Sequence, residues 1–180
     1  MSIFEPDPDA GLPIACLDFE ASAYPVPGSY PIEVALAYVE TGAVRSWLIC
    51  PSDQWLEHGY WDPSAERAHR ISLEALLADG RPIEPVKAEL AEAAAGHQVV
   101  SDSVGSDGYW LRTLYDGSPP FELESVDEAL RQVASWRGSA ARTAILESTS
   151  VAWDRYKQHH RAGPDARRWA EAFRILKGLT

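Results

Sequence analysis

Ile14-Ala15-Cys16-Leu17-Asp18-Phe19-Glu20 is a short apolar run that ends in two carboxylates one residue apart. A run of this length and composition reads as a strand. Two further β-rich segments follow, Ile32 to Val39 and Ala43 to Ile49, joined by the turn Glu40-Thr41-Gly42. That turn is too short for a helical crossover, so the second and third strands form a hairpin and a purely parallel, doubly wound sheet is disfavoured.

Working outward, the Gly-, Pro- and aromatic-rich stretch from Pro51 to Pro63 reads as irregular. Helical patterns cover Ser72 to Ala78 and Pro85 to Ala95, the second ended by Gly96, and Val99-Val100-Ser101 is a fourth strand. Asp107 to Leu114 forms a short helix with Tyr109 or Trp110 and Leu111 and Leu114 on its apolar side, Pro119-Pro120 breaks it, and Phe121-Glu122-Leu123 is a fifth, edge strand. Ser125-Val126-Asp127-Glu128 is a capping box that opens a helix to about Trp136. Another helix covers Ala141 to Tyr156. In the last one Ala166, Trp169, Ala170, Phe173 and Leu176 share one face, while Arg167, Arg168, Glu171, Arg174 and Lys177 share the other. The order of elements fits an α/β sandwich with a mixed five-stranded sheet flanked by helices. Residues 1–12, rich in Pro, Asp and Gly, read as a loose leader, and 13–180 as a single domain.

The 180 residues are 46% hydrophobic and 24% charged, enough to bury a full core and incompatible with a wholly disordered chain. No run of about 18 or more apolar residues occurs, and the opening Met1-Ser2-Ile3-Phe4-Glu5 lacks the basic start of a signal peptide. A soluble cytoplasmic protein with no membrane partner is expected. Cys16 and Cys50 have no Cys or His at zinc spacing, so each is expected as a buried free thiol. The net charge of -11 argues against coating nucleic acid by bulk attraction. The charge is unevenly spread, however: residues 1–130 hold 6 Lys/Arg against 23 Asp/Glu, and residues 131–180 hold 10 against 4. The basic C-terminal part remains compatible with an anionic substrate.

Three groups of residues could carry chemistry. Asp18 and Glu20, at i and i+2 of an extended strand, point the same way into one cleft, where they repel unless a cation sits between them. Hard divalent ions favour such oxygen ligands. Asp107 opens a helix just after the fourth strand, with Asp102 at the strand's end as its rival for the same role. His160-Arg161-Ala162-Gly163-Pro164-Asp165 leads into the last helix, with Pro164 suited to the first turn and Asp165 fixed at the helix start. A histidine there takes a proton near neutral pH. His159 competes with His160 for that part.

Together and in this order, these segments resemble the DnaQ-like DEDDh family of 3'-5' exonucleases, which have the ribonuclease H-like fold. Asp18-Phe19-Glu20 resembles its first motif, Ser106-Asp107-Gly108-Tyr109-Trp110-Leu111 its second, and His160 through Asp165 its third. His69-Arg70-Ile71-Ser72 looks like the family's His-Gly-Ile-Ser/Thr segment, with Arg70 in place of glycine. The resemblance runs from about Ile14 to Leu176. Two departures bear on substrate choice: Ala21-Ser22-Ala23 and a Pro-rich loop replace the usual Thr-Thr-Gly after Glu20, and the usual Asn and Phe before the second-motif Asp are absent.

The resemblance implies two divalent ions, Mg²⁺ or Mn²⁺, held by Asp18, Glu20, Asp107 and Asp165, with His160 as general base. The expected activity is metal-dependent 3'-5' hydrolysis of phosphodiester bonds in single-stranded DNA or RNA ends or short oligonucleotides. Arg161, Arg167 and Lys157 could meet the substrate backbone, and Trp55, Tyr60 or Trp61 could stack on a base. Trp110, Trp136, Trp153 and Trp169 sit at helical spacings and read as core. A homodimer is compatible with the sequence. The competing readings are a non-catalytic nucleic-acid-binding or interaction module that keeps the fold, and another metal-dependent phosphoesterase.

Overall fold

The computed structural model describes residues 11–157 and 160–179; all but two residues of the expected leader, and His159, lie outside them. Three strands come first: β1 (Ile14–Ala21), β2 (Pro31–Tyr38) and β3 (Val44–Leu48). Helices α1 (Asp53–His58), α2 (Pro63–His69), α3 (Leu73–Asp79) and α4 (Ile83–Ala94) follow, then β4 (Gln98–Ser101) and α5 (Val104–Leu114). The chain ends with β5 (Glu124–Ser125), α6 (Val126–Ala134), a 3-10 turn, α7 (Ala141–Arg155) and α8 (Ala162–Lys177).

The sheet order is β3-β2-β1-β4-β5, with β1 antiparallel to β2, β2 antiparallel to β3, and β4 parallel to both β1 and β5. This is the mixed five-stranded α/β sheet that the short Glu40-Thr41-Gly42 turn implied, and Gly42 supplies the left-handed residue (φ 72°) the turn needs. The pleat of β1 divides its side chains between two cores. Leu17 and Phe19 pack with Val34, Val86, Leu90 and Leu111 on the face covered by α4 and α5. Ile14 and Cys16 pack with Ala35, Leu130, Ala166 and Phe173 on the face covered by α6 and α8. Asp18 and Glu20 continue that second row, so they share the α8 side of the sheet.

Several elements differ from the sequence reading. The stretch read as irregular holds α1 and the start of α2, helices too short to show a periodicity. Their signals are caps: Ser52 Oγ accepts the Trp55 N–H, and Asp62 accepts the Ser64 N–H at 2.7 Å ahead of Pro63. The edge strand is Glu124–Ser125 instead of Phe121 to Leu123, because Phe121 and Leu123 turn inward and pack against the first core beside Tyr115. Ser125 does precede a helix, but its side chain makes no capping hydrogen bond. Helix α5 starts at Val104, so Asp107 closes its first turn instead of opening the helix. Trp136, expected in the core, is 74% exposed on a 3-10 turn broken at Gly138, with Arg137 stacked 4.4 Å from its ring centre. Cys16 is a buried free thiol, whereas Cys50 is half-buried and free.

The most consequential difference is on α8. Arg168 and Glu171, placed by periodicity on a charged outer face, are buried. Helix α7 covers that face, with Trp153 against Arg168 and Arg155 paired to Glu171. Among the described residues no helix is long and apolar enough to cross a membrane.

Arg70 explains the glycine of the segment it resembles. It caps α2 in the left-handed region (φ 60°, ψ 30°), which a non-glycine residue occupies at a cost of about 1–2 kcal/mol, partly offset by its lower entropy when unfolded. Arg70→Gly is therefore expected to stabilise the protein by about 0.5–1 kcal/mol, read from the midpoint of chemical denaturation. An unchanged or lowered midpoint would show that the arginine side chain makes up for its backbone.

Candidate active site

The C-terminal end of β1, the start of α5 and the start of α8 converge. Asp18 and Glu20 come from β1, Asp107 from the first turn of α5, Asp165 from the first turn of α8, and Asp102 from the link between β4 and α5. Carboxylate oxygens of Asp18, Asp102 and Asp107 lie within 4.8 Å of one another, as do those of Asp18, Glu20 and Asp165. Asp18 thus belongs to both groups. Asp102 and Asp107, rivals in the sequence, stand side by side around Asp18.

Each carboxylate is held by local chemistry. Asp107 is buried and accepts a hydrogen bond from Ser101 Oγ, which in turn accepts the Ser103 N–H at 2.9 Å. Asp165 Oδ2 accepts the backbone N–H groups of His160 (2.8 Å) and Arg161 (3.2 Å), which fixes the turn on which His160 sits, exposed and left-handed (φ 61°). The next N–H, that of Ala162, goes to Glu33 Oε2 at 3.0 Å.

Glu33 is the acid that the sequence reading passed over. It stands directly opposite Glu20 across the β1–β2 ladder, where like charges repel. Arg161 resolves the conflict by pairing with Glu33 at both ends, Nε to Oε2 at 2.9 Å and Nη2 to Oε1 at 2.7 Å. The guanidinium expected at the substrate backbone is therefore engaged by the protein itself. The signal was available: Glu33 is a lone acid inside the apolar run Pro31 to Leu36. Arg167 lies over the Tyr156 ring and, with Lys157, lines a separate groove of about 420 Å³.

The electrostatics follow from burial and crowding. Burial raises the Asp18 carboxyl well above its ordinary range, and Asp107, Glu20, Asp102 and Glu33 add to the rise. Glu20 is pushed up to about 8, by burial first and Glu33 second, with Arg161 pulling the other way. Asp107 is pushed up to about 7 by burial, against the hydrogen bond from Ser101. A carboxylate cluster that resists ionisation for want of a counter-charge fits a hard divalent cation, since every donor is an oxygen.

Beside the cluster is a cleft of about 410 Å³ whose walls include Phe19, Glu20, Tyr24, His69, Trp110 and His160. The loop after Glu20 that builds it is tightly tied: Ser22 Oγ accepts the Tyr30 N–H (3.0 Å), Ser29 Oγ donates to the Ala23 carbonyl (2.9 Å), and the Trp110 indole donates to Ser29 Oγ (2.9 Å). His69 Nδ1 accepts the Ile71 N–H at 3.0 Å, and burial lowers the imidazole pKa. Trp55 and Trp61 are not in this cleft. They pack on Tyr30, half-buried against a satellite core of Ile32, Ile71 and Leu76, and Trp55 lines a different groove. Tyr24, 78% exposed on the cleft wall, offers a free face for a base.

No protein-family model and no curated protein matches this sequence. Solved structures do. The chain is similar to exonuclease I in a structure described as suggesting how processivity is achieved, at 13% identity and a TM-score of 0.66 over 92% of this chain and 40% of that one. The fold is ribonuclease H-like. It is also similar to the moderately thermophilic exonuclease I from Methylocaldum szegediense (15% identity, TM-score 0.66, 93% of this chain and 40% of that one). A third is E. coli exonuclease I in complex with a dT13 oligonucleotide (12% identity, TM-score 0.64, 91% and 40%). This chain spans about two fifths of the length of those proteins. Helix α8 packs through Ala162, Ala166 and Phe173 on the β1 face that carries Ile14 and Cys16, which puts the two acidic motifs in one place from opposite ends of the chain.

The raised carboxyl pKa values carry a sign. With the folded pKa above the unfolded one, the folded state holds protons that the unfolded chain has released. The stabilisation is complete below the unfolded value of about 4 and is lost as pH rises through about 7 to 8, the range of Asp107 and Glu20. In EDTA the protein is expected to lose stability between pH 5 and about 8.5, the reverse of ordinary acid denaturation, and saturating Mg²⁺ is expected to remove most of that slope. Denaturation midpoints across this range read it; a flat or rising curve in EDTA would contradict the crowding described above.

Proposed function

We propose that the protein is a metal-dependent 3'-5' exonuclease of the DnaQ-like DEDDh kind, acting on single-stranded ends or short oligonucleotides. The observation that carries this reading is the shared place of Asp18 in two carboxylate groups, one with Asp107 and Asp102, the other with Glu20 and Asp165. Asp18, Asp107 and Asp102 would hold one divalent ion, and Asp18, Glu20 and Asp165 the other, Mg²⁺ or Mn²⁺ in each case. When bound, such ions make water a nucleophile at neutral pH and stabilise the departing 3'-oxygen.

The rest of the chemistry belongs to the chain. His160, exposed beside Glu20 on a turn fixed by Asp165, accepts the proton of the attacking water. The left-handed backbone at His160 and the Glu33–Arg161 pair hold that imidazole at the mouth of the cleft. The cleft receives the terminal nucleotide, with its base against Tyr24 and the wall formed by Trp110 and Ala68. Oligonucleotide complexes of E. coli exonuclease I, such as that with dT13, support a single-stranded substrate for a fold of this kind.

Incubation with 5'-labelled single-stranded DNA and RNA, with Mn²⁺ or EDTA, tests the reading. A metal-dependent ladder shortening from the 3' end is expected, abolished in Asp18→Asn. His160→Ala is expected to lower kcat by about 10²–10⁴ and to flatten the acid limb of the pH–rate profile. An oligonucleotide that is bound but never shortened would leave the binding module; release of phosphate from small esters alone would leave another phosphoesterase.

Tyr24→Ala is expected to raise KM by about 5- to 100-fold with a smaller change in kcat, in line with about 1–3 kcal/mol for a base stacked on an aromatic ring. An unchanged KM would place the terminal base elsewhere.

A further inference from the structure

Arg168 is the one residue of α8 whose burial the helical pattern contradicts most directly. Its side chain is 8% exposed, three residues after Asp165, and its Nη2 pairs with Asp165 Oδ1. The other oxygen of Asp165 is committed to the backbone of His160 and Arg161. Both oxygens of one expected metal ligand are therefore engaged within the protein. A cation that reaches Asp165 meets a guanidinium already there.

The guanidinium is also held from behind. Its centre lies 4.8 Å from the Trp153 ring on α7, and Trp153 is itself wedged edge-on against Trp169 at 4.5 Å. Burial works against its charge, while Asp18 and Asp102 work for it. Arg168 thus answers to three of the five clustered carboxylates and to one aromatic face. Stacking on Trp153 gives it a resting place that does not need Asp165.

We propose that Arg168 is a positioning residue that serves as a resident counter-cation, pairing with Asp165 in the metal-free protein and giving up that oxygen to the divalent ion at the Asp18–Glu20–Asp165 group. The inference rests on the two-ion reading above. Its physical logic is charge exchange. Without ions the cluster needs a positive charge to stay folded, and Arg168 supplies part of it. When an ion arrives, the guanidinium falls back on Trp153 and the carboxylate changes partner. The two ion positions are then unequal: among the described residues no ion pair joins an arginine to Asp102 or Asp107, whereas the position at Asp165 is opposed by a buried, directly paired competitor that salt screens poorly.

Mn²⁺ titration calorimetry of the full chain, wild type beside Arg168→Met and Arg168→Lys, tests this. Wild type is expected to bind two ions in separable steps. Arg168→Met is expected to tighten the weaker step about tenfold, the factor that corresponds to about 1.4 kcal/mol, and to leave the stronger step nearly unchanged. Its melting temperature in EDTA falls and Mn²⁺ restores it. Arg168→Lys keeps the charge but neither the planar pairing nor the stack, so it tightens the same step by a smaller factor and provides the reading if the methionine variant does not fold. An arginine that merely supports the fold would leave the weaker step unchanged or loosen it when replaced, and that result in either variant overturns the proposal. If wild type binds no Mn²⁺ at all, the two-ion reading itself fails; if wild type binds two and the variants match it, the counter-cation fails alone.

Discussion

Acidic side chains crowd the end of β1, and the protein tolerates them because its last segment brings arginines to meet them. Glu20 and Glu33 face each other across a strand pair, an arrangement that would push the ladder apart without Arg161. Asp18, Asp102, Asp107 and Asp165 would crowd one another equally without Arg168. Both arginines sit within eight residues of each other at the entrance to α8. For the buried Arg168–Asp165 pair, removing one partner costs about 3–5 kcal/mol, a large share of a typical domain's stability, whereas the more exposed Arg161 is worth less. The C-terminal helix is therefore part of the site as well as part of the core.

That dependence reverses the reading of the net charge. A chain at -11 with its positive charge gathered in the last 50 residues looks like an acidic body with a basic patch for an anionic ligand. Part of that positive charge is spent inward. Arg161 and Arg168 neutralise the cluster, Arg155 pairs with Glu171, Arg137 donates to the Leu176 carbonyl near the end of α8, and Arg174 to the Val39 carbonyl just after β2. Lys157 and Arg167 remain on the outer groove.

The sheet was legible because its signals are local. A turn of three residues between two β-rich runs forces a hairpin, and the alternation of β1 puts Asp18 and Glu20 on one side whatever surrounds them. The convergence of Asp107 and Asp165 on that place was legible only through the order of the motifs, since no local pattern says that residues 58 positions apart will meet. What stayed hidden was tertiary. Helices α1 and α2 are too short for periodicity and show themselves only by caps. The burial of Arg168 depends on α7 lying across a face that looks solvated on a helical wheel. Nor does the sequence show that Tyr30, at the far end of a Pro-rich loop, comes back to pack on Trp55 and Trp61.

The account stands on Asp18 serving two ions at once. Anomalous diffraction from crystals soaked in Mn²⁺ tests this most directly. Two peaks are predicted, both touching Asp18, one flanked by Asp107 and Asp102 and the other by Glu20 and Asp165. A single peak on one side of Asp18, or manganese bound only at carboxylates elsewhere on this acidic surface, would contradict it.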